Sequence, residues 1–116
     1  MADYLLLLRD EPSEYFDTIS PEEMQAIIAR YTAWRDQLAE RGQLVGTNKL
    51  TDGEGRVMRR VDDKVRVVDG PYSEAKEIVG GYFLVSAESY EAAIEIAEAC
   101  PHLDYGSVEI REVEVH

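Results

Sequence analysis

An aspartate at a rigid bend, with an arginine, a tyrosine and a lysine close by in sequence, is the grouping in this chain best suited to chemistry. The stretch Val68-Asp69-Gly70-Pro71-Tyr72-Ser73-Glu74-Ala75-Lys76-Glu77-Ile78-Val79 leaves one valine-rich strand, bends at Asp-Gly-Pro and enters another. A carboxylate at such a bend commonly accepts backbone N–H bonds and sets the turn. Facing a cleft and buried, Asp69 would instead serve as a general base, and it is the candidate catalytic residue. Arg59 and Lys76 offer a positive spot in an acidic protein, able to hold a carboxylate or phenolate ligand. Tyr72 would close that site as an aromatic wall or proton donor. The plainer roles are packing for Tyr72 and exposed ion pairs for Lys76 and Glu77. A ligand role for Arg59, Tyr72 and Lys76 requires a pocket of roughly 300 Å³ or more beside the turn.

Other chemistries find little support. His102 follows Pro101, and His116 is a terminal residue expected to fray. No histidine lies between Met1 and Pro101, so His102 could join a His–Asp pair with Asp69 only if the fold brings the two together. Two separated histidines and one cysteine make no metal-ligand spacing, and no metal or cofactor is expected. Cys100 falls on the inner face of a helix and reads as a small buried hydrophobe. Gly53-Glu54-Gly55 and Gly80-Gly81 do not stand between a strand and an opening helix, so neither is a dinucleotide fingerprint.

The chain has 116 residues, one domain's worth. Twelve Lys and Arg stand against 24 Asp and Glu, for a net charge of −12. That field repels phosphate backbones and argues against nucleic acid; it favours solubility, or a basic protein partner. Leu5-Leu6-Leu7-Leu8 is too short to span a bilayer and lacks the flanks of a signal peptide, so no membrane role is expected. A single cysteine permits no intrachain disulfide, and a reducing cytoplasm is the expected compartment.

These side chains must be positioned by a small set of elements. A first strand is expected over Tyr4 to Arg9, then a loop from Asp10 to Glu14. Ser20-Pro21-Glu22-Glu23 opens a helix, with Ser20 as the cap, Glu23 completing a capping box and Pro21 at the first turn. Met24, Ile27, Ile28, Tyr31, Trp34 and Leu38 form its apolar stripe, and Gly42 ends it. Strands follow over Leu44 to Leu50, Arg56 to Val61 and Lys64 to Val68, the last two joined by Asp62-Asp63. Ile78 to Val85 is the most apolar strand, with Gly80-Gly81 marking a bulge or a close backbone approach. Ser89 caps a second helix, Tyr90 to about Cys100, which Pro101 stops.

The last strand, Ser107 to Val115, places Val108 and Ile110 on one face but Val113 and Val115 on the other. Either a bulge lies near Arg111-Glu112, or the two ends bury opposite faces. The element order is that of an α+β, ferredoxin-like split βαβ fold with an antiparallel sheet. Its helices cover one face only, yet apolar residues occur at both parities. A homodimer with sheets packed face to face, a dimeric α+β barrel, is therefore expected.

The run Asp69-Gly70-Pro71-Tyr72-Ser73-Glu74-Ala75-Lys76-Glu77, followed by Gly80-Gly81-Tyr82, resembles the signature of the YCII-related, DGPF-type domain family. The opening leucine strand, Gly42-Gln43-Leu44, Cys100-Pro101 and Gly106-Ser107-Val108-Glu109-Ile110-Arg111 fit the same pattern, so the likeness spans nearly the whole chain. Tyr72, Ser73 and Ala75 replace the family's Phe, Ala and Thr, and only Arg59 survives from its usual Ala-Thr-Thr-Val-Arg strand. The resemblance implies a ferredoxin-like dimer. Relatives of the broader fold act as small-molecule lyases or dehydrochlorinases through a His–Asp pair whose histidine belongs near the first helix, a position without histidine here. Other members are associated with extracytoplasmic-function sigma factors. The expected role is thus to bind or transform a small anionic or aromatic molecule near the Asp-Gly-Pro turn; the alternative is a non-enzymatic regulatory protein acting through its acidic surface.

Overall fold

A computed structural model of the chain describes residues 1–10, 18–70 and 78–115. Among the described residues six strands and two helices follow one another: β1 (Ala2–Asp10), α1 (Pro21–Glu40), β2 (Leu44–Lys49), β3 (Arg56–Val61), β4 (Lys64–Asp69), β5 (Ile78–Ala87), α2 (Tyr90–Glu98) and β6 (Gly106–Val113), with a 3₁₀ turn over Pro101–Asp104. The expected loop between Asp10 and Glu14 lies, past Asp10, outside the described residues.

Four strands make one antiparallel sheet in the order β2-β5-β1-β6. This is the ferredoxin-like split βαβ arrangement, with β3 and β4 inserted as a separate two-stranded hairpin. The hairpin turns on Asp62 and Asp63, whose φ angles of 51° and 64° are the left-handed pair that a two-residue type I′ connection requires.

The helices form where their end signals stand. The Glu23 amide donates to Ser20 Oγ at 3.1 Å, Pro21 occupies the first turn, and Gly42 leaves the helix at φ +69°. The Ala92 amide donates to Ser89 Oγ at 3.2 Å at the start of α2. Ile27, Trp34 and Leu38 of α1, and Ala93 and Ala97 of α2, press on Tyr4, Leu6, Leu8, Phe83 and Val85 of the sheet. Trp34 and Phe83 stack with ring centres 4.5 Å apart. Ile28 departs from the expected stripe and is 55% exposed. It sits about 100° around the helix from Ile27, and only one of two consecutive residues can face the sheet alongside Trp34 and Leu38.

The pairing of β1 with β6 runs without a break from Asp3↔Val113 to Asp10↔Gly106. No bulge occurs at Arg111-Glu112, so the parity change is real: Val108 and Ile110 turn to the helices, whereas Val113 turns to the other face. That other face carries Leu5, Leu7, Tyr82 and Leu84 as register neighbours, all half-buried. Val115 lies past the strand and is exposed.

Candidate functional site

The sheet is irregular at the end of β1, as it is at the start of β2. Leu8 pairs with Gly81 but Arg9 pairs with Val79, so Gly80 is an extra residue, the bulge expected from the paired glycines. The Asp10 carboxylate fills the space that a side chain on Gly80 would need, its Oδ2 lying closer than a Cβ could tolerate. On the other flank β6 begins at Gly106, directly opposite Asp10. A Cβ there would run into the Arg9 carbonyl oxygen and come within 2.9 Å of His102 Nε2. Two glycines thus make room for one carboxylate and one imidazole.

His102 arrives from the 3₁₀ turn that Pro101 opens, and it is buried at 5% exposure. Its Nε2 lies 3.0 Å from the Arg9 carbonyl oxygen and 3.2 Å from Asp10 Oδ1. Both partners accept, which assigns a proton to Nε2. In the neutral ring Nδ1 then accepts from the Tyr31 hydroxyl of α1, 2.8 Å away. Arg30, beside Tyr31, ties the helix to the same turn through Asp104 Oδ2 at 2.6 Å and the Tyr105 hydroxyl at 3.0 Å.

The electrostatics follow from burial and these partners. Burial alone would push the His102 pKa down, but the hydrogen bonds to Asp10 and the Arg9 carbonyl, with the Asp10 charge, outweigh it and leave the pKa raised. Burial is also the main reason the Tyr31 hydroxyl holds its proton well above the ordinary range, helped by Cys100 and Asp10. Cys100 is buried and its pKa is pushed up to about 11 by desolvation, so it stays an inert thiol. Asp10 is the most open of the three: its side chain is 39% exposed against 6% for His102, and Tyr31 is half-buried. Tyr31, His102 and Asp10 therefore form a short hydrogen-bonded relay, with the imidazole buried, the tyrosine half-buried and the carboxylate the most open. A ligand arriving from solvent would meet the carboxylate first.

The residues singled out from sequence lie elsewhere or beyond view. Asp69 ends β4 with its side chain 94% exposed, 3.6 Å from Arg56 Nη1. Arg59 lies on β3 directly opposite Arg66 of β4. Tyr72 and Lys76 fall outside the described residues, as does His116. His102 does meet an aspartate, and that aspartate is Asp10. A groove of about 540 Å³ opens at the opposite end of the sheet from Asp10, lined by Arg41, Gln43, Ser86, Glu95 and Ile96 among others, and touches neither Asp69 nor Arg59. Among the described residues no cluster of three His, Cys, Asp or Glu side chains could hold a metal. Among them, too, no helix is long and apolar enough to cross a membrane.

Sequence reasoning misses Asp10 because the composition after Arg9 reads as a loop, and misses the role of His102 because it pairs that residue with Asp69 alone. The signal present in the chain is the pair of glycines, Gly80 and Gly106, which flank Asp10 in the sheet. Their role becomes legible only once the strand register is known.

A sequence profile for the YCII-related domain matches residues 2–115. Among solved structures the chain is similar to 5-chloro-2-hydroxyhydroquinone dehydrochlorinase (TftG) from Burkholderia phenoliruptrix AC1100, determined in complex with 2,5-dihydroxybenzoquinone. The identity is 16% and the TM-score 0.56, over 97% of this chain and 93% of that one. No curated protein sequence matches the chain.

Proposed function

This chain belongs to the YCII-related domain family, and from that premise we propose that it binds and transforms a small aromatic molecule carrying acidic hydroxyl groups, with Asp10 as the group that touches it. The observation that carries this reading is the buried His102, bonded on one side to Tyr31 and on the other to a carboxylate that remains open to solvent. A phenolic or enolic hydroxyl donates to Asp10, which takes the proton as it leaves oxygen. His102 fixes the carboxylate and supplies positive charge behind it when protonated; Tyr31 holds the ring. The hydroxylated quinone bound by the structurally similar dehydrochlorinase supports the choice of ligand class.

The test is a titration with 2,5-dihydroxybenzoquinone and with hydroquinone, followed by the His102 imidazole resonances and by calorimetry. Binding that moves the His102 signal, and is lost in Asp10→Asn, is the expected result. Binding that survives Asp10→Asn but is lost in Asp69→Asn or Arg59→Ala would relocate the site to the Asp-Gly-Pro turn, where Asp69, Arg59, Tyr72 and Lys76 remain the competing set. No binding of either compound at millimolar concentration would sink the small-molecule reading and favour a regulatory protein working through its acidic surface. A homodimer joined through the Leu5, Leu7, Tyr82 and Leu84 face belongs to this reading, because burial of that apolar patch would stabilise the pair.

A further inference from the structure

The groove at the far end of the sheet from Asp10 lies where α1 ends, beside α2 and over the ends of β2 and β5. It is on the helix side, away from the Leu5, Leu7, Tyr82 and Leu84 face. Its volume of about 540 Å³ falls within the roughly 300–1,000 Å³ typical of small-molecule sites. The floor is apolar: Ala87 is buried, and Ile96 is half-buried against the core. Strand pairing closes the bottom, where the Ser86 amide donates to the Gln43 carbonyl oxygen at 2.8 Å.

The walls carry charges of both signs that do not meet. Arg41 stands where α1 ends, and Glu88 and Glu95 stand before and along α2. All three are exposed, and among the described residues none makes an ion pair or a side-chain hydrogen bond. Opposite charges left apart across an apolar floor suit a ligand that carries both charges itself.

Gln43 adds a group in need of a donor. Its side-chain Oε1 is buried and finds no hydrogen-bond partner among the described residues. Leaving a buried acceptor unpaired costs free energy. Gln43 lines the groove and its terminal torsion is soft, so rotation turns the oxygen toward an incoming N–H.

We propose that this groove is a second ligand site, one that takes a small zwitterion of the amino-acid class with an apolar side chain. The ligand's carboxylate pairs with Arg41, whose planar guanidinium can hold it through two parallel bonds. Its ammonium donates to Gln43 Oε1 in the field of Glu88 and Glu95, and its side chain covers Ile96 and Ala87. A purely anionic ligand fits poorly, because two carboxylates repel it.

The test is an NMR titration of the full-length chain with L-leucine, beside N-acetyl-leucine, which lacks the ammonium, and leucine methyl ester, which lacks the carboxylate. Leucine should produce saturable shifts of the Gln43 side-chain amide, the Ser86 amide and the Ile96 methyls, with a Kd of about 1 mM or tighter. The His102 imidazole should stay still. Each blocked derivative should bind roughly tenfold or more weakly, the loss expected for one charge-assisted hydrogen bond. Arg41→Gln, and Glu88→Gln with Glu95→Gln, should weaken leucine by a similar factor; all three side chains are exposed, so both variants should fold. Absence of saturable shifts, equal affinity for the three compounds, movement of His102 in place of the groove signals, or full leucine affinity in either variant would overturn the proposal. The quinone titration reports on the Asp10 end of the sheet, so the two readings stand or fall separately.

Discussion

Replacing Gly80 by alanine should separate the His102–Asp10 contact from the stability of the fold. The new Cβ would occupy the position of Asp10 Oδ2, the far end of a side chain that is 39% exposed and can swing outward. The backbone at Gly80 does not adopt a left-handed conformation, so alanine is tolerated there. Removing a glycine lowers the entropy of the unfolded chain, a gain of about 0.4–1 kcal/mol. Loss of a partly exposed ion pair costs about 0–1 kcal/mol. The two nearly cancel, and the urea midpoint should move by less than about 1 kcal/mol in free energy. The imidazole responds differently: without Asp10 at 3.2 Å it loses one of the two partners that favour its charged form. Its pKa should fall, because burial still disfavours the cation. Proton NMR of the ring reads this directly, and a His116→Gln background leaves a single imidazole to follow. An unshifted His102 titration in a folded Gly80→Ala protein would refute the placement of Asp10, and with it the relay.

Gly106→Ala meets backbone instead of a flexible side chain, since its Cβ would strike the Arg9 carbonyl and crowd His102. It should destabilise by more than about 2 kcal/mol, measurable as a lower denaturation midpoint. Wild-type stability should also decline with rising pH in a manner that His102→Gln does not share. The folded-state pKa of His102 lies above its unfolded value near 6.5. Its contribution is therefore complete below that value and is lost as pH rises through the folded pKa. Urea midpoints of both proteins between about pH 6 and pH 9 would reveal the difference; parallel curves would count against the raised pKa.

Local chemistry alone determined much of the molecule. Ser20 with Pro21, Ser89 before Tyr90, Gly42 after Arg41 and the Asp62-Asp63 pair each act on backbone groups within three or four residues, so they read correctly without a structure. Strand parity reached further: the opposed Val108 and Val113 implied apolar residues on both sides of the sheet, and the unbroken β1–β6 register bears this out. The family signature at Asp69 to Glu77 marked the fold, but it drew attention to a turn whose aspartate is 94% exposed. What the tertiary structure alone decided is the meeting of Asp10, Tyr31 and His102. Tyr31 and His102 are 71 residues apart, and His102 and Arg9 are 93 apart. No short-range signal spans such distances. They meet because burial of Leu6, Phe83 and Ile110 sets one antiparallel register across three strands, and that register carries Asp10 between two glycines.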